Sequence, residues 1–323
     1  MSSRPRPILL EMPVHIKENI VHHVDIEARY VSCSFTIENC CIFFRFQLRN
    51  CSKEYRNLVD NTPTVYTNLS FRYCFRLPVG VHDGYEFTVT TGSSQFSRDF
   101  REFNRVQSMD LFQKHFSRFL KNPKAKFEKF HIATGYFPHD QLQAVLSSLN
   151  RELAVKQLLL KECSFTNANH LLSILPELEP RYLEHMDLGK ILDYNGLNQI
   201  TDLEQFKQAK SAIIRGEVLR ISIDELLHFR RLKCYRLSFL SVQNVQTIID
   251  NALRQGEEFE RWKLVTLHSD DSIEEHFGTR RTFNVPNSDH RLTFVHDGET
   301  FYLTNEARRL ETDRDLSSNG SIL

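Results

Sequence analysis

The sequence predicts an α+β protein: a short helical N-terminal segment, then a longer α/β stretch of repeated strand and helix units with hairpins at its ends. Three observations predict it. Apolar residues near the start recur at steps of four, the helical period. From residue 66 the alternation shortens to two, the strand period. Beyond that, short β-like runs return about every 28 residues, each followed by amphipathic sequence.

The first element spans residues 8 to 27, where Met12, Ile16, Ile20 and Val24 share one helical face and Pro13 sits where a first-turn proline is tolerated. A second helix is expected from Phe46 to Val59, with Leu48, Cys51, Tyr55 and Leu58 in register, and Asn61-Thr62-Pro63 closes it. The alternating runs Tyr66 to Tyr73 and Tyr85 to Thr90, separated by Gly80 and Asp83-Gly84, predict a β-hairpin that opens a second domain. Met109, Phe112, Phe116 and Phe119 then place a helix over about 108 to 120.

The repeat rests on six runs: Phe127 to Ile132, Val155 to Leu160, Leu183 to Leu188, Ser211 to Ile214, Lys233 to Leu237 and Arg261 to Val265. Their starts are 28, 28, 28, 22 and 28 residues apart. Helical sequence lies between them at His139 to Leu153, Asn167 to Ile174, Asp202 to Lys210 and Val242 to Leu253. This is the spacing of a leucine-rich-repeat-like arc, in which each unit buries its apolar face by stacking on its neighbours, although the usual asparagine ladder is missing. A closing hairpin is expected at Leu292 to Val295 and Thr300 to Leu303, joined by His296-Asp297-Gly298. Residues 305–323 read as a disordered tail.

The 323 residues and 41% hydrophobic content suffice for a sizeable core in two units. Lys plus Arg and Asp plus Glu both total 41, so no general affinity for nucleic acid or an anionic membrane is expected. Seven cysteines without a CxxC pair fit reduced thiols, and the first apolar run stops at Glu11, short of a signal-peptide core. The expected location is cytoplasmic or nuclear, where the sequons at Asn50, Asn68 and Asn319 carry little weight.

Enzyme chemistry needs a constellation, and the sequence offers no phosphate-cradling glycine loop, HExxH, Walker lysine or GxSxG elbow. His22-His23 with Cys33, Cys40 and Cys41 lack the ligand spacing of a tetrahedral zinc site, so no metal or cofactor is expected. Asp140, after Pro138 and His139, reads as a helix-start residue instead of half an acid-base pair. Phe112, Phe116, Phe119, Phe127 and Phe130 read as core instead of a base-stacking platform. The basic run Arg230, Arg231 and Lys233 reads as a solvated edge of the repeat.

Two stretches carry a family resemblance. Leu9-Leu10-Glu11-Met12-Pro13-Val14-His15-Ile16-Lys17-Glu18-Asn19-Ile20-Val21-His22-His23-Val24-Asp25 resembles the first half of an F-box. Leu203-Glu-Gln-Phe-Lys-Gln-Ala-Lys210, supported by Leu183-Glu-His-Met-Asp-Leu188 and His228-Phe229, resembles the FTH domain of nematode F-box proteins over about residues 65 to 295. The family usually places Trp where this chain has Phe206. In the F-box pattern Asp25 to Arg29 runs straight into a helix like Phe46 to Asp60; here Tyr30 to Arg45 intervenes, and removing it restores the pattern. Arg29-Tyr30-Val31 can be written AGGTATGT and Phe43-Phe44-Arg45 TTTTTCAGA, the two ends of an intron, so the stretch is read as a translated intron or an insertion unique to this chain, against an ordinary core strand.

The resemblance implies an F-box-like segment at 8–62 interrupted at 30–45, and an FTH-like α/β repeat domain at 64–304. It implies no enzyme but the substrate-recognition adaptor of a Skp-cullin-F-box ubiquitin ligase. Leu10, Met12, Pro13, Ile16, Ile20, Val24 and Leu48 would contact a Skp-type adaptor and through it a cullin, while the FTH domain holds a protein target. Two alternatives stay open: a stand-alone interaction scaffold whose F-box does not dock, and a hydrolase with an unrecognised site.

Overall fold

A computed structural model describes residues 64–74, 84–91, 94–99, 117, 120, 123–133, 143, 146–147, 151–160, 163–165, 169–192 and 197–308. The chain divides into two compact units, Met1–Gln157 and Leu158–Leu323. The F-box-like segment at 8–62 lies outside the described residues.

In the first unit β1 (Thr64–Tyr66) and β2 (Asn68–Cys74) both run parallel to β5 (Ala125–Ala133), while β3 (Gly84–Thr91) and β4 (Ser94–Asp99) add antiparallel strands beyond β2. The expected opening hairpin is β2 with β3, paired from Asn68 and Thr90 to Cys74 and Gly84. Phe127, Phe130 and Ile132 are buried on β5, and Tyr66 stacks on Phe127 with ring centroids 5.1 Å apart. β6 (Ala154–Leu159) follows and lies beside β5.

The second unit is built on four consecutive parallel strands, β8 (His185–Ile191), β9 (Ser211–Leu219), β10 (Arg231–Leu237) and β11 (Arg261–Thr266), with a two-residue β7 (Ser164–Phe165) on β8. Three antiparallel strands complete it in the order β11, β14 (Thr300–Asn305), β13 (Arg291–His296), β12 (Arg280–Asn284). β13 with β14 is the expected closing hairpin, and each of the six repeat runs overlaps a strand, with Leu183, Glu184 and Leu160 falling outside β8 and β6. Asn305, where the tail was expected to begin, is the buried last residue of β14. The α+β class holds.

One hydrogen-bond device sets the register. The carbonyl of the residue before each strand accepts two amides from the start of the next: Glu184 from Lys210 and Ser211 at 2.9 and 3.0 Å, Lys210 from Arg230 and Arg231 at 2.9 and 3.3 Å, Arg230 from Glu260 and Arg261 at 3.0 and 3.2 Å. Since one-residue slippage would turn every side chain over, these paired bonds fix which residues face the core. Leu232, Cys234, Trp262 and Leu264 face inward, with Phe294, Phe301 and Leu303 on the antiparallel strands. Each such apolar side chain stabilises the unit by roughly 1.5–3 kcal/mol relative to exposure.

Helices α1 (Asn169–Leu172), α2 (Leu197–Thr201), α3 (Glu204–Gln208), α4 (Val242–Gln255) and α5 (Ser272–Phe277) lie between the strands in sequence. The longest, α4, starts at Ser241, whose hydroxyl accepts from the Asn244 amide while the Asn244 side chain accepts from the Ser241 amide. It buries Val245, Ile248, Ile249 and Ala252, the periodic face the sequence shows. On β8 a bulge lies between Asp187 and Lys190, where Gly189 has φ +68°. A Cβ there would lie 2.4 Å from the Leu160 oxygen and 2.7 Å from the Cys163 oxygen, so only glycine fits.

Candidate target-binding face

Alternation puts the remaining side chains of these strands on the opposite face of the sheet. Register aligns them in rows across strands. One row runs Lys233, Lys263, Tyr302, Val295, Arg280 over β10, β11, β14, β13 and β12. The next row runs Ser211, Arg231, Arg261, Thr304, Thr293. The rows enclose a groove of about 430 Å³ whose lining includes Lys233, Arg261, Lys263, Arg280, Tyr302 and Glu306.

The groove is electropositive although the whole chain is neutral. At its flanks the charges are matched. Asp187 is fully buried and accepts from both terminal nitrogens of Arg215, while the Arg231 Nε donates to Glu260 Oε2 at 2.7 Å. In the groove itself, none of Lys233, Lys263 and Arg280 has a carboxylate within ion-pair distance among the described residues. Burial, then the positive charges of Arg261, Lys263, Arg231 and Arg215, hold the Lys233 ammonium below its ordinary pKa. The hydrogen bond with Tyr302 chiefly raises that of Lys263, whose Nζ lies 4.9 Å from the Tyr302 ring centroid. Arg215 similarly covers Tyr235, 5.8 Å from its centroid. Glu306 is the single carboxylate lining the groove among the described residues, and it accepts from the Thr293 hydroxyl.

The family-specific residues serve packing instead. Gln205, Phe206 and Ala209 are buried, and the Gln205 amide nitrogen donates to the Leu178 carbonyl at 2.8 Å. Phe206 packs edge-on against His228 and Phe229, at centroid distances of 5.6 and 5.1 Å. The run expected to be a solvated edge is corrected. Arg230 pairs with Glu258 at 2.6 Å and Arg231 with Glu260, while Lys233 stands at the β10 end of the cationic row and lines the groove. Strand register brings it there, beside residues far away in sequence.

Leu10, Met12, Pro13, Ile16, Ile20, Val24 and Leu48, expected from the sequence to contact an adaptor, lie outside the described residues, as do His22, His23, Cys33, Cys40, Cys41, His139, Asp140, Phe112, Phe116 and Phe119. Phe127 and Phe130 are buried core. The Cys234 thiol is buried, which pushes it up to about 12. Among the described residues no group of three or more His, Cys, Asp or Glu could hold a metal, and no helix is long and apolar enough to cross a membrane.

Residues 138–285 match the model of the FTH domain, so the second unit holds most of an FTH domain. Over 98% of its length the chain is 23% identical to F-box A protein 224 of Caenorhabditis elegans, of which it covers 82%. The resemblance to nematode F-box proteins with an FTH domain is borne out. No solved structure matches the chain.

Proposed function

We propose that this chain is the substrate-recognition adaptor of a Skp-cullin-F-box ubiquitin ligase, and that its FTH domain binds a protein target. The observation that carries the reading is the pairing of an FTH match at 138–285 with similarity to an F-box protein along almost the whole chain. The N-terminal segment at 8–62 docks the Skp-type adaptor through Met12, Pro13, Ile16, Ile20 and Val24, in the way an amphipathic helix fills a groove with a few apolar anchors. The domain at 64–304 presents the target face, its strands and helices stacking as leucine-rich-repeat-like units. Ubiquitin transfer belongs to partner enzymes, so the chain itself is not one. Co-purification with a Skp-type adaptor tests the reading.

A second reading is favoured by the sixteen residues from Tyr30 to Arg45, which separate the two halves of the F-box pattern. In that reading the chain no longer docks and acts alone as an interaction scaffold. Adaptor binding by a chain lacking 30–45, and not by the full chain, would support it.

A further inference from the structure

We propose that the cationic groove takes a carboxylate-rich segment of the target protein, lying across β10, β11, β14, β13 and β12. The inference rests on the reading of the FTH domain as the target-binding part. Four cations, Lys233, Arg261, Lys263 and Arg280, line a groove that holds one carboxylate among the described residues. Like charges in a partly buried site are costly to hold together, and an acidic occupant relieves that cost as it binds. Glu306, bonded by Thr293, already shows a carboxylate accommodated at this site.

The dimensions set the occupant. Five adjacent strands at about 4.8 Å spacing span about 19 Å, which roughly six extended residues cover. In an extended segment every second side chain faces the groove, so acidic residues at alternate positions meet the cationic row. A nucleic-acid strand fits less well. Tyr302 and Tyr235 on this face each carry a cation, Lys263 and Arg215, over the ring, so a base stacking there would have to displace it. Tyr302 and Val295 also separate Lys263 from Arg280 along the row, which interrupts a continuous path for a phosphate backbone.

The test titrates the full chain with a fluorescein-labelled peptide of about twelve residues, Glu alternating with Ser. Its Gln counterpart and an oligothymidine run beside it. The Glu peptide should bind saturably and more weakly as salt rises, with the Gln peptide about tenfold weaker or more. Lys233→Gln with Lys263→Gln should weaken Glu-peptide binding about tenfold or more, and Lys207→Gln on the exposed α3 should leave it unchanged. If the double variant melts below the wild type, Arg280→Gln on the exposed edge strand replaces it and should weaken binding about threefold or more. Absent binding, equal binding of the Gln peptide, indifference to the groove substitutions, or tighter binding of oligothymidine overturns the proposal. Adaptor co-purification is measured on the same preparations. Adaptor binding without peptide binding overturns the groove alone, whereas peptide binding without adaptor binding removes the ligase reading and leaves the groove standing.

Discussion

The Nε2 nitrogen of His228 lies 2.9 Å from the carbonyl oxygen of Phe206, and the two rings meet edge-on at 5.6 Å. Two stretches that carry the FTH resemblance, Leu203 to Lys210 and His228-Phe229, are therefore one packed cluster. A third stretch joins them. Lys210 Nζ is 2.8 Å from Glu184 Oε1, and its amide bonds the Glu184 carbonyl. These residues hold strand starts in place, through the Glu184 carbonyl and the packing of Phe206 on His228 and Phe229.

Phe206 is fully buried against Phe229 and His228, so Phe206→Ala should lower stability by about 3–5 kcal/mol through lost burial and a residual cavity. Chemical denaturation followed by tryptophan fluorescence reads this, since Trp262 is also buried and its Nε1 donates to the Phe229 carbonyl at 3.0 Å. A loss under about 1 kcal/mol would remove the structural role assigned to the signature.

Burial lowers the His228 pKa, outweighing hydrogen bonds at the Phe206 and Glu225 backbone that raise it. The unfolded chain, with a histidine pKa of about 6.5, thus binds a proton that the folded chain resists. The contribution to stability is complete above about pH 6.5 and is lost as pH falls toward the lower folded value. His228→Gln should flatten the fall in unfolding free energy between about pH 7 and pH 5. An identical slope in both proteins would contradict the assignment.

The fold was legible where one face of a strand is buried. Trp262 and Leu264, or Leu292 and Phe294, alternate with less buried residues and mark β11 and β13 directly. Strand β8 was placed two residues early because Leu183 extends the apolar pattern backwards, and ended early because Gly189 reads as a stop. The bulge carries the strand through that glycine. Strand β12 gave no signal, since Arg280, Arg281, Thr282 and Asn284 are exposed on an edge. The groove was illegible for a related reason. Lys233, Lys263 and Arg280 are neighbours only through register, and a local basic run was the one hint available.

Deleting Tyr30 to Arg45 should strengthen adaptor binding, because the stretch separates two helices that the F-box pattern sets side by side. Loop closure alone grows only with the logarithm of length, so a large gain would mean that the stretch displaces the docking surface. Phe35, Ile37, Ile42, Phe43 and Phe44 make it too apolar for a simple exposed loop. A side-by-side titration of both forms against the adaptor checks this; weaker binding by the deleted form would show that the stretch belongs to the working fold.

The most direct test of the adaptor reading is co-purification of the chain and its Ile20→Asp variant with a Skp-type adaptor. Ile20 lies on the apolar face from Met12 to Val24, and an unpaired carboxylate at the contact is strongly unfavourable to bury. The account predicts that the wild-type chain retains the adaptor, and that Ile20→Asp abolishes retention while the FTH domain keeps its melting transition. Retention of the adaptor by Ile20→Asp at the wild-type level, or none by the wild-type chain, would contradict it.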